Sequence, residues 1–588
     1  MSDNTAVEAK PSAVEEFKLA SQHLSGTIGA ELADASDGFS KEMQQLIKTH
    51  GFYQQENRDD RKSAGKGARH ASFMVRSRIP GGRLTSEQML AELDVCDVMG
   101  NSTLRITSRQ GLQLHGIPKD NLRDTIRIIN MIKLSTLAAC GDVNRNVMCC
   151  PGPHNDEVHR EMQLLADQLA MTFAPRTPAY YEIWLRDDET GEEELVGGPP
   201  GFDRSAHDEV GPAGDDVEPI YGTVYLPRKF KMSIGLPEDN CVDMYANDLS
   251  FMAIVENGKI VGYNVLAGGG MGMTPAAAKT FPAVAHRLCY VTPEQAIGVA
   301  VAIVKVQRDF GNRSDRKVAR LKYTIANHGL PWFRAKVEEY FGQALPDPHP
   351  ADVTGMDDHI GWREQGDGKY YYGLNIENGR LYDDDKIQLK AALRDVCSTL
   401  APPLRLTAHQ SILFIDLRPE DKDKLFSILR KYNVPLSEDI STVRRWSMSC
   451  VAKPTCGLAV AESERALPGM IDQFEVELAK LGLEKEEFTL RMTGCPNGCA
   501  RPYNCDIGLV GKTDGKYTIY VGGRLVGDRL NFKLYDIVTT EEVVPHLVPL
   551  MLYFKQSREP GETAGDFFHR RGHDDLLAWA AEYQKSKN

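Results

Sequence analysis

The chain has 588 residues, 42% hydrophobic and 26% charged, with a formal net charge of −13. That length gives about three or four domain-sized units with ample chain for large cores, and an acidic chain with no dominant basic stripe argues against nucleic-acid binding. No apolar run approaches the length needed to span a bilayer, so no membrane association is expected.

The opening residues, MSDNTAVEAKPSAVEEF, have neither a cationic nor an apolar segment, so no secretory signal is expected. Up to about Gly51 the chain reads as an arm. LRITSRQGLQLHG (Leu104–Gly116) alternates polar and apolar residues and reads as one strand continuing through a bend. The alternation puts Arg105, Thr107 and Arg109 on one face, and Gln113 and His115 on one face. Asn121–Leu137 has helical spacing, with Ile126, Ile129, Met131 and Leu134 recurring. Pro/Gly/Asp-rich runs at Gly197–Asp216 and Leu345–Gly355 mark a loop and a boundary. Ser463–Gly482 reads as an amphipathic helix stopped by its glycine, and Gly561–Asn588 as a charged helical end.

An internal duplication runs through these elements. LRITSRQGLQLHG at Leu104 is echoed by LRLTAHQSILFID at Leu404, IPGGRL at Ile79 by IENGRL at Ile376, and NRNVMCC ending at Cys150 by RRWSMSC ending at Cys450. ENGKIVGYNVLAGG (Glu256–Gly269) matches DGKYTIYVGG (Asp514–Gly523), so the order is A, B, then A′, B′. Two such halves leave a central cleft, where large prosthetic groups sit.

The 12 cysteines form no disulfide framework, which fits a reducing, cytoplasmic setting. Four of them form two close pairs: Cys450 and Cys456 in SCVAKPTC, Cys495 and Cys499 in TGCPNGCARPY. Four thiolates suit an Fe–S cluster, and soft sulfur selects Fe–S or zinc. Structural zinc usually draws on tighter pairs, so the spacing favours Fe–S, with zinc or unligated thiols as alternatives.

TGCPNGCARP behind a Cys-x5-Cys, together with FMVRSR (Phe73–Arg78), LRITSRQGLQLHG, CGDVNRN around Arg145 and YLPRKFK (Tyr225–Lys231), resembles the siroheme-dependent sulfite and nitrite reductases. Within that family the likeness is to the hemoprotein, or beta, subunits of assimilatory sulfite reductase. The resemblance implies an α+β fold: a pseudo-two-fold duplicated arrangement of ferredoxin-like and siroheme/cluster-binding domains. It divides the chain into an arm (1–64), a first ferredoxin-like repeat (65–138), a first siroheme-binding domain (139–345), a second repeat (346–432) and a cluster- and siroheme-binding domain (433–588).

The resemblance further implies that Cys450, Cys456, Cys495 and Cys499 hold a [4Fe–4S] cluster, with Cys499 bridging to siroheme. Arg76, Arg145, Lys229 and Lys231 would face the substrate, because an oxyanion site needs cations and buried cations imply an anion. From composition alone, Lys229 and Lys231 also fit a solvated basic strand on which they share one side of Phe230. Arg105, Thr107, Arg109, Gln113, His115 and Arg228 would serve the siroheme carboxylates, with Asn497 and Cys499 in the cluster motif. The implied reaction is six-electron reduction of sulfite to sulfide, with nitrite to ammonia as the alternative.

AGGGMGM (Ala267–Met273) lacks the spacing of a dinucleotide or P-loop motif, so electrons are expected from a partner: NADPH through a flavoprotein subunit, or ferredoxin. LSGTIGAELAD in the arm is similar to flavoprotein-served subunits. Some ferredoxin-type relatives carry a Tyr–Cys thioether, for which Tyr53 and Cys140 are the candidates beside an inert buried thiol. Outside this class, the cysteines alone would also allow a non-catalytic electron carrier or a zinc-stabilised binding module.

Overall fold

The computed structural model describes residues 10–21, 23–59, 71–175, 183–186, 193–197, 217–274 and 277–587. Four five-stranded sheets form two matching pairs. The first runs Phe52–Gln55, Ser72–Ser77, Leu112–Ile117, Leu104–Ile106 and Arg380–Leu381; the third runs Gly361–Glu364, Tyr370–Leu374, Ile412–Leu417, Leu404–Leu406 and Arg83–Leu84. Both are antiparallel throughout. Their last strands are exchanged: Leu381 faces Leu104, and Leu84 faces Leu404. The repeats IPGGRL and IENGRL thus each cross into the other half's sheet and stitch the halves together.

The second sheet runs Met148–Cys149, Met232–Gly235, Leu249–Glu256, Lys259–Ala267 and His286–Val291. The fourth runs Ser447–Ser449, Leu490–Thr493, Ile507–Thr513, Lys516–Val521 and Phe532–Thr539. In each, the first three strands are parallel and the last two antiparallel. The duplication read from short sequence matches is therefore a duplication of topology. One apolar core spans the first three sheets, and a second fills the fourth sheet against the helices Leu467–Leu481, Val543–Ser557 and Ala564–Lys587.

Several local expectations are corrected. LRITSRQGLQLHG is a hairpin, with Leu104 facing Leu114. Its turn is closed by Gln110 N–H donating to the Thr107 carbonyl (3.1 Å) with Gln110 left-handed at φ 53°, so Thr107 and Arg109 lie in the turn and not on a strand face. The helix expected to Leu137 is Leu122–Met131, ended by Lys133 at φ 62°. The helix expected from Ser463 begins at Leu467 with Pro468 in its first turn, and ends at Gly482 as read; Ser463 is instead held on the Met492 carbonyl at 2.9 Å. The C-terminal helix breaks at Gly572 (φ 76°). Lys229–Lys231 precede the strand Met232–Gly235, where Phe230 makes a single bridge to Asn144.

The segment read as an arm is anchored. Lys18, on helix Ala13–Ala20, donates to the Leu226 carbonyl (2.8 Å) and pairs with Glu15 (2.5 Å), and Phe52–Gln55 is the edge strand of the first sheet. Residues 198–216 of the expected Gly197–Asp216 loop lie outside the described residues.

Candidate active site

Ser447–Ser449 and Leu490–Thr493 are parallel neighbours, with Ser449 facing Met492. The two cysteine pairs follow the carboxyl ends of these strands, so the sheet brings SCVAKPTC and TGCPNGCARPY together. Cys450 N–H donates to the Met492 carbonyl (3.2 Å), and the Cys450 Sγ accepts from Gly494 N–H (3.3 Å). Asn497 Nδ2 donates to the Cys495 Sγ at 3.4 Å. Arg58, from the arm, pins the loop by donating to the carbonyls of Cys456 (2.9 Å) and Ala459 (2.7 Å).

All four are free thiols, and Cys499 is the exposed one. Burial, then the charge of Cys499, raises Cys450, Cys456 and Cys495, the last to about 11. Four sulfurs so placed cannot ionise together without a positive centre among them, which is what an iron cluster provides.

The glycine run of the first half packs against this loop. Met273 N–H donates to the Pro496 carbonyl (3.0 Å), and a Cβ on Gly498 (φ 63°) would lie 2.7 Å from the Met271 carbonyl oxygen. Lys322 donates to the carbonyls of Gly270 (2.9 Å) and Gly272 (2.7 Å). The run is a backbone cradle for the cysteine motif, which accounts for its glycines without a phosphate.

Across from Cys499 lies a group of cations. Burial, then Arg228, lowers Lys229 to about 7, with Arg320 and Arg145 acting in the same direction and Cys499 opposing. Burial, then Arg109, lowers Lys231 well below the usual lysine range, again with Cys499 opposing. Neither lysine has a hydrogen bond or ion pair to a protein group among the described residues. Arg145 is buried, with its Nε on the Gly141 carbonyl (2.8 Å) and with Tyr53 and Cys140 beside it. Arg76 donates to the Cys140 Sγ (3.1 Å) and to Gln113 Oε1 (2.8 Å), and its Nε is buried without a partner among the described residues. Buried cations in excess of acids call for an anionic occupant.

The family "Nitrite/Sulfite reductase ferredoxin-like half domain" matches residues 67–132 and 363–432, and "Nitrite and sulphite reductase 4Fe-4S domain" matches 166–345 and 443–588. The chain belongs to the nitrite and sulfite reductase family.

Relatives in this family include the "Sulfite reductase [NADPH] hemoprotein beta-component" of Paenibacillus sp., 42% identical over 580 residues (97% of this chain, 98% of the relative). The "Sulfite reductase [ferredoxin]" of Synechococcus elongatus is 41% identical over 583 residues (99% and 92%). Among solved structures, the Mycobacterium tuberculosis NirA protein has the same fold, with a TM-score of 0.77 and 24% identity over 96% of this chain and 98% of that one.

The family's cofactors, siroheme and a [4Fe–4S] cluster, fit what is present: four free thiols on one loop pair, one of them open toward unpartnered cations. The other residues expected near siroheme divide by what holds them. Arg105 is buried and committed, donating to Glu464 (2.5 Å) and to the Ser449 carbonyl (2.9 Å), so what it fixes is the strand before Cys450. Arg109, lowered to about 9 by burial, donates to Asn247 Oδ1 (2.8 Å) and to the carbonyls of Asn146 (2.5 Å) and Met232 (3.2 Å). Thr107 Oγ1 caps its own turn by accepting from Gly111 N–H (3.1 Å).

Gln113 links Arg76 to His115 Nε2 (2.8 Å), whose Nδ1 meets Gln55 Oε1 (3.3 Å). Burial, then Arg380, holds His115 well below the usual histidine range, so it is neutral. Arg228 is lowered by burial, with Asp142 opposing. Cys140 is a free thiol against the Tyr53 hydroxyl.

Sequence reading missed four cations here. Lys48, in the arm, is lowered to about 8 by burial, with Arg316, Arg228 and Arg145 acting in the same direction. Arg320 pairs with Asp248 (2.5 Å) beside Lys229 and Lys231. Arg501 and Arg491 share the fully buried Asp243. Only Arg501 carried a signal, as part of the quoted CARP motif.

Proposed function

We propose that this protein catalyses the six-electron reduction of sulfite to sulfide. The observation that carries the reading is the pair of half-buried lysines, Lys229 and Lys231, which have no hydrogen-bond or ion-pair partner among the described residues and interact electrostatically with Cys499. When bound, the [4Fe–4S] cluster and siroheme would carry the donor's electrons to the substrate.

The chain's own residues bind the dianion and move protons. Arg76 and Arg145 offer rigid, planar donors to substrate oxygens. Arg76 is aimed by Cys140 and Gln113, and Gln113 in turn by His115. Removing three oxygens as water takes six protons. Lys229, near neutrality between its charged and neutral forms, can release and regain one at each step. Charge developing on each departing oxygen is stabilised by the same cations, already oriented before reaction.

Electrons come from an external donor, NADPH through a flavoprotein reductase or a ferredoxin; relatives are named for NADPH and for ferredoxin. All twelve cysteines are free, which suits the cytoplasm. The test is steady-state reduction of sulfite and nitrite, alone and in competition, with reduced methyl viologen as donor. A higher kcat/KM for sulfite is expected. A higher kcat/KM for nitrite would overturn the substrate assignment, and no turnover of either by fully loaded protein would overturn the enzyme reading.

A further inference from the structure

The second sheet repeats the metal-bearing geometry of the fourth. Met148 faces Ser233 across parallel strands, as Met448 faces Arg491. Counting along from those pairs, Cys150 takes the place of Cys450, and Cys241 takes the place of Cys499. Both first-half thiols are buried, at 2% and 3% exposure, and both are free.

Two further ligand-type groups converge on them. Asp239 lies two residues before Cys241 in the loop after Met232–Gly235, and His359 comes from the segment joining the halves, just before Gly361–Glu364. One donor atom from each of Cys150, Asp239, Cys241 and His359 lies within 4.8 Å of all the others. The Cys150 Sγ is 2.8 Å from Asp239 Oδ2 and 3.7 Å from His359 Nε2, and His359 Nε2 is 3.0 Å from Asp239 Oδ2. A tetrahedral zinc with bonds of about 2.0–2.3 Å sets its ligand atoms about 3.3–3.8 Å apart, so slight expansion admits the ion.

The donors are oriented from behind. Asp239 Oδ1 accepts from Cys241 N–H (3.1 Å) and Asp357 N–H (3.0 Å), turning Oδ2 into the group. His359 is held in a left-handed backbone conformation (φ 56°) with its N–H on Asp357 Oδ1 (2.8 Å). Such outer contacts fix metal ligands before the metal arrives.

We propose that Cys150, Asp239, Cys241 and His359 bind one Zn²⁺, a structural centre separate from the four cluster cysteines. It ties two loops of the second sheet to the segment that leads into the third. Two thiolates, an imidazole and a carboxylate are a closed donor set for zinc, with no open position for chemistry.

The experiment is elemental analysis of the holoprotein, purified without chelators and dialysed against trace zinc, followed by zinc K-edge X-ray absorption. The expected result is about one zinc per chain with two sulfur neighbours at about 2.3 Å. Cys241→Ser and His359→Ala should lose the zinc while keeping the iron and acid-labile sulfide of the wild type. Wild-type protein without zinc after dialysis, a zinc shell lacking sulfur, or full zinc retention in Cys241→Ser would each overturn the proposal. The wild-type measurement decides the matter even if a variant fails to fold.

Discussion

Replacing Lys229 by methionine removes one charge from the anion pocket and keeps most of the side chain's bulk. A cation about 4 Å from an anion at an effective dielectric of about 20 gains roughly 4 kcal/mol. Arg145, Arg228 and Lys231 remain and water can enter, so we take about half of that, about 2 kcal/mol, or roughly 30-fold in kcat/KM for sulfite. Stability should move the other way. Lys229 has no acidic partner to orphan, and burial lowers it from 10.5 to about 7. At pH 8 the unfolded lysine is charged and the folded one mostly neutral, so its burial costs at most about 3 kcal/mol. That cost is greatest below pH 7 and fades as pH approaches 10.5. Lys229→Met in siroheme-free protein should therefore melt at or above the wild-type temperature at pH 7–8, while the loaded enzyme loses activity. Wild-type kcat/KM in the variant, or a clear fall in its Tm, would refute the reasoning.

Three further outcomes follow from other parts of the structure. Asp243→Asn leaves Arg491 and Arg501 buried without their shared carboxylate and should cost about 3–5 kcal/mol in urea unfolding. Glu92 is fully buried, and burial raises it to about 7, with its partner Ser77 opposing. Its folded value exceeds the unfolded one, so the stability it contributes is complete below pH 4.5 and lost as pH rises through 7. Glu92→Gln should accordingly gain at most about 3 kcal/mol over wild type at pH 8 and little at pH 4.5, read by unfolding at the two pH values. Cys499→Ser, at the exposed thiol, should leave the melting profile of cofactor-free protein unchanged yet abolish sulfite reduction.

What could be read in the sequence follows a physical division. The cysteine pairs were legible because their spacing is local, and the duplication because NRNVMCC and RRWSMSC sit at matching strand ends. The exchanged strands Arg83–Leu84 and Arg380–Leu381 are too short to show any periodicity. The hairpin in LRITSRQGLQLHG was hidden because its left-handed turn residue is Gln110 rather than glycine or asparagine. Arg105 looked like a free cation because its partner Glu464 lies 359 residues away. Lys48, Arg320, Asp239, Cys241 and His359 lie outside the motifs that carried the reading, and only folding brings the last three to Cys150.

The central claim is tested most directly by an absorption spectrum of the purified protein, taken with iron and acid-labile sulfide analysis. The account predicts the Soret and red bands of a reduced porphyrin with about five irons per chain, four in the cluster and one in siroheme. About four irons without porphyrin bands would reduce the protein to a cluster carrier, and a colourless protein without iron would contradict the account outright.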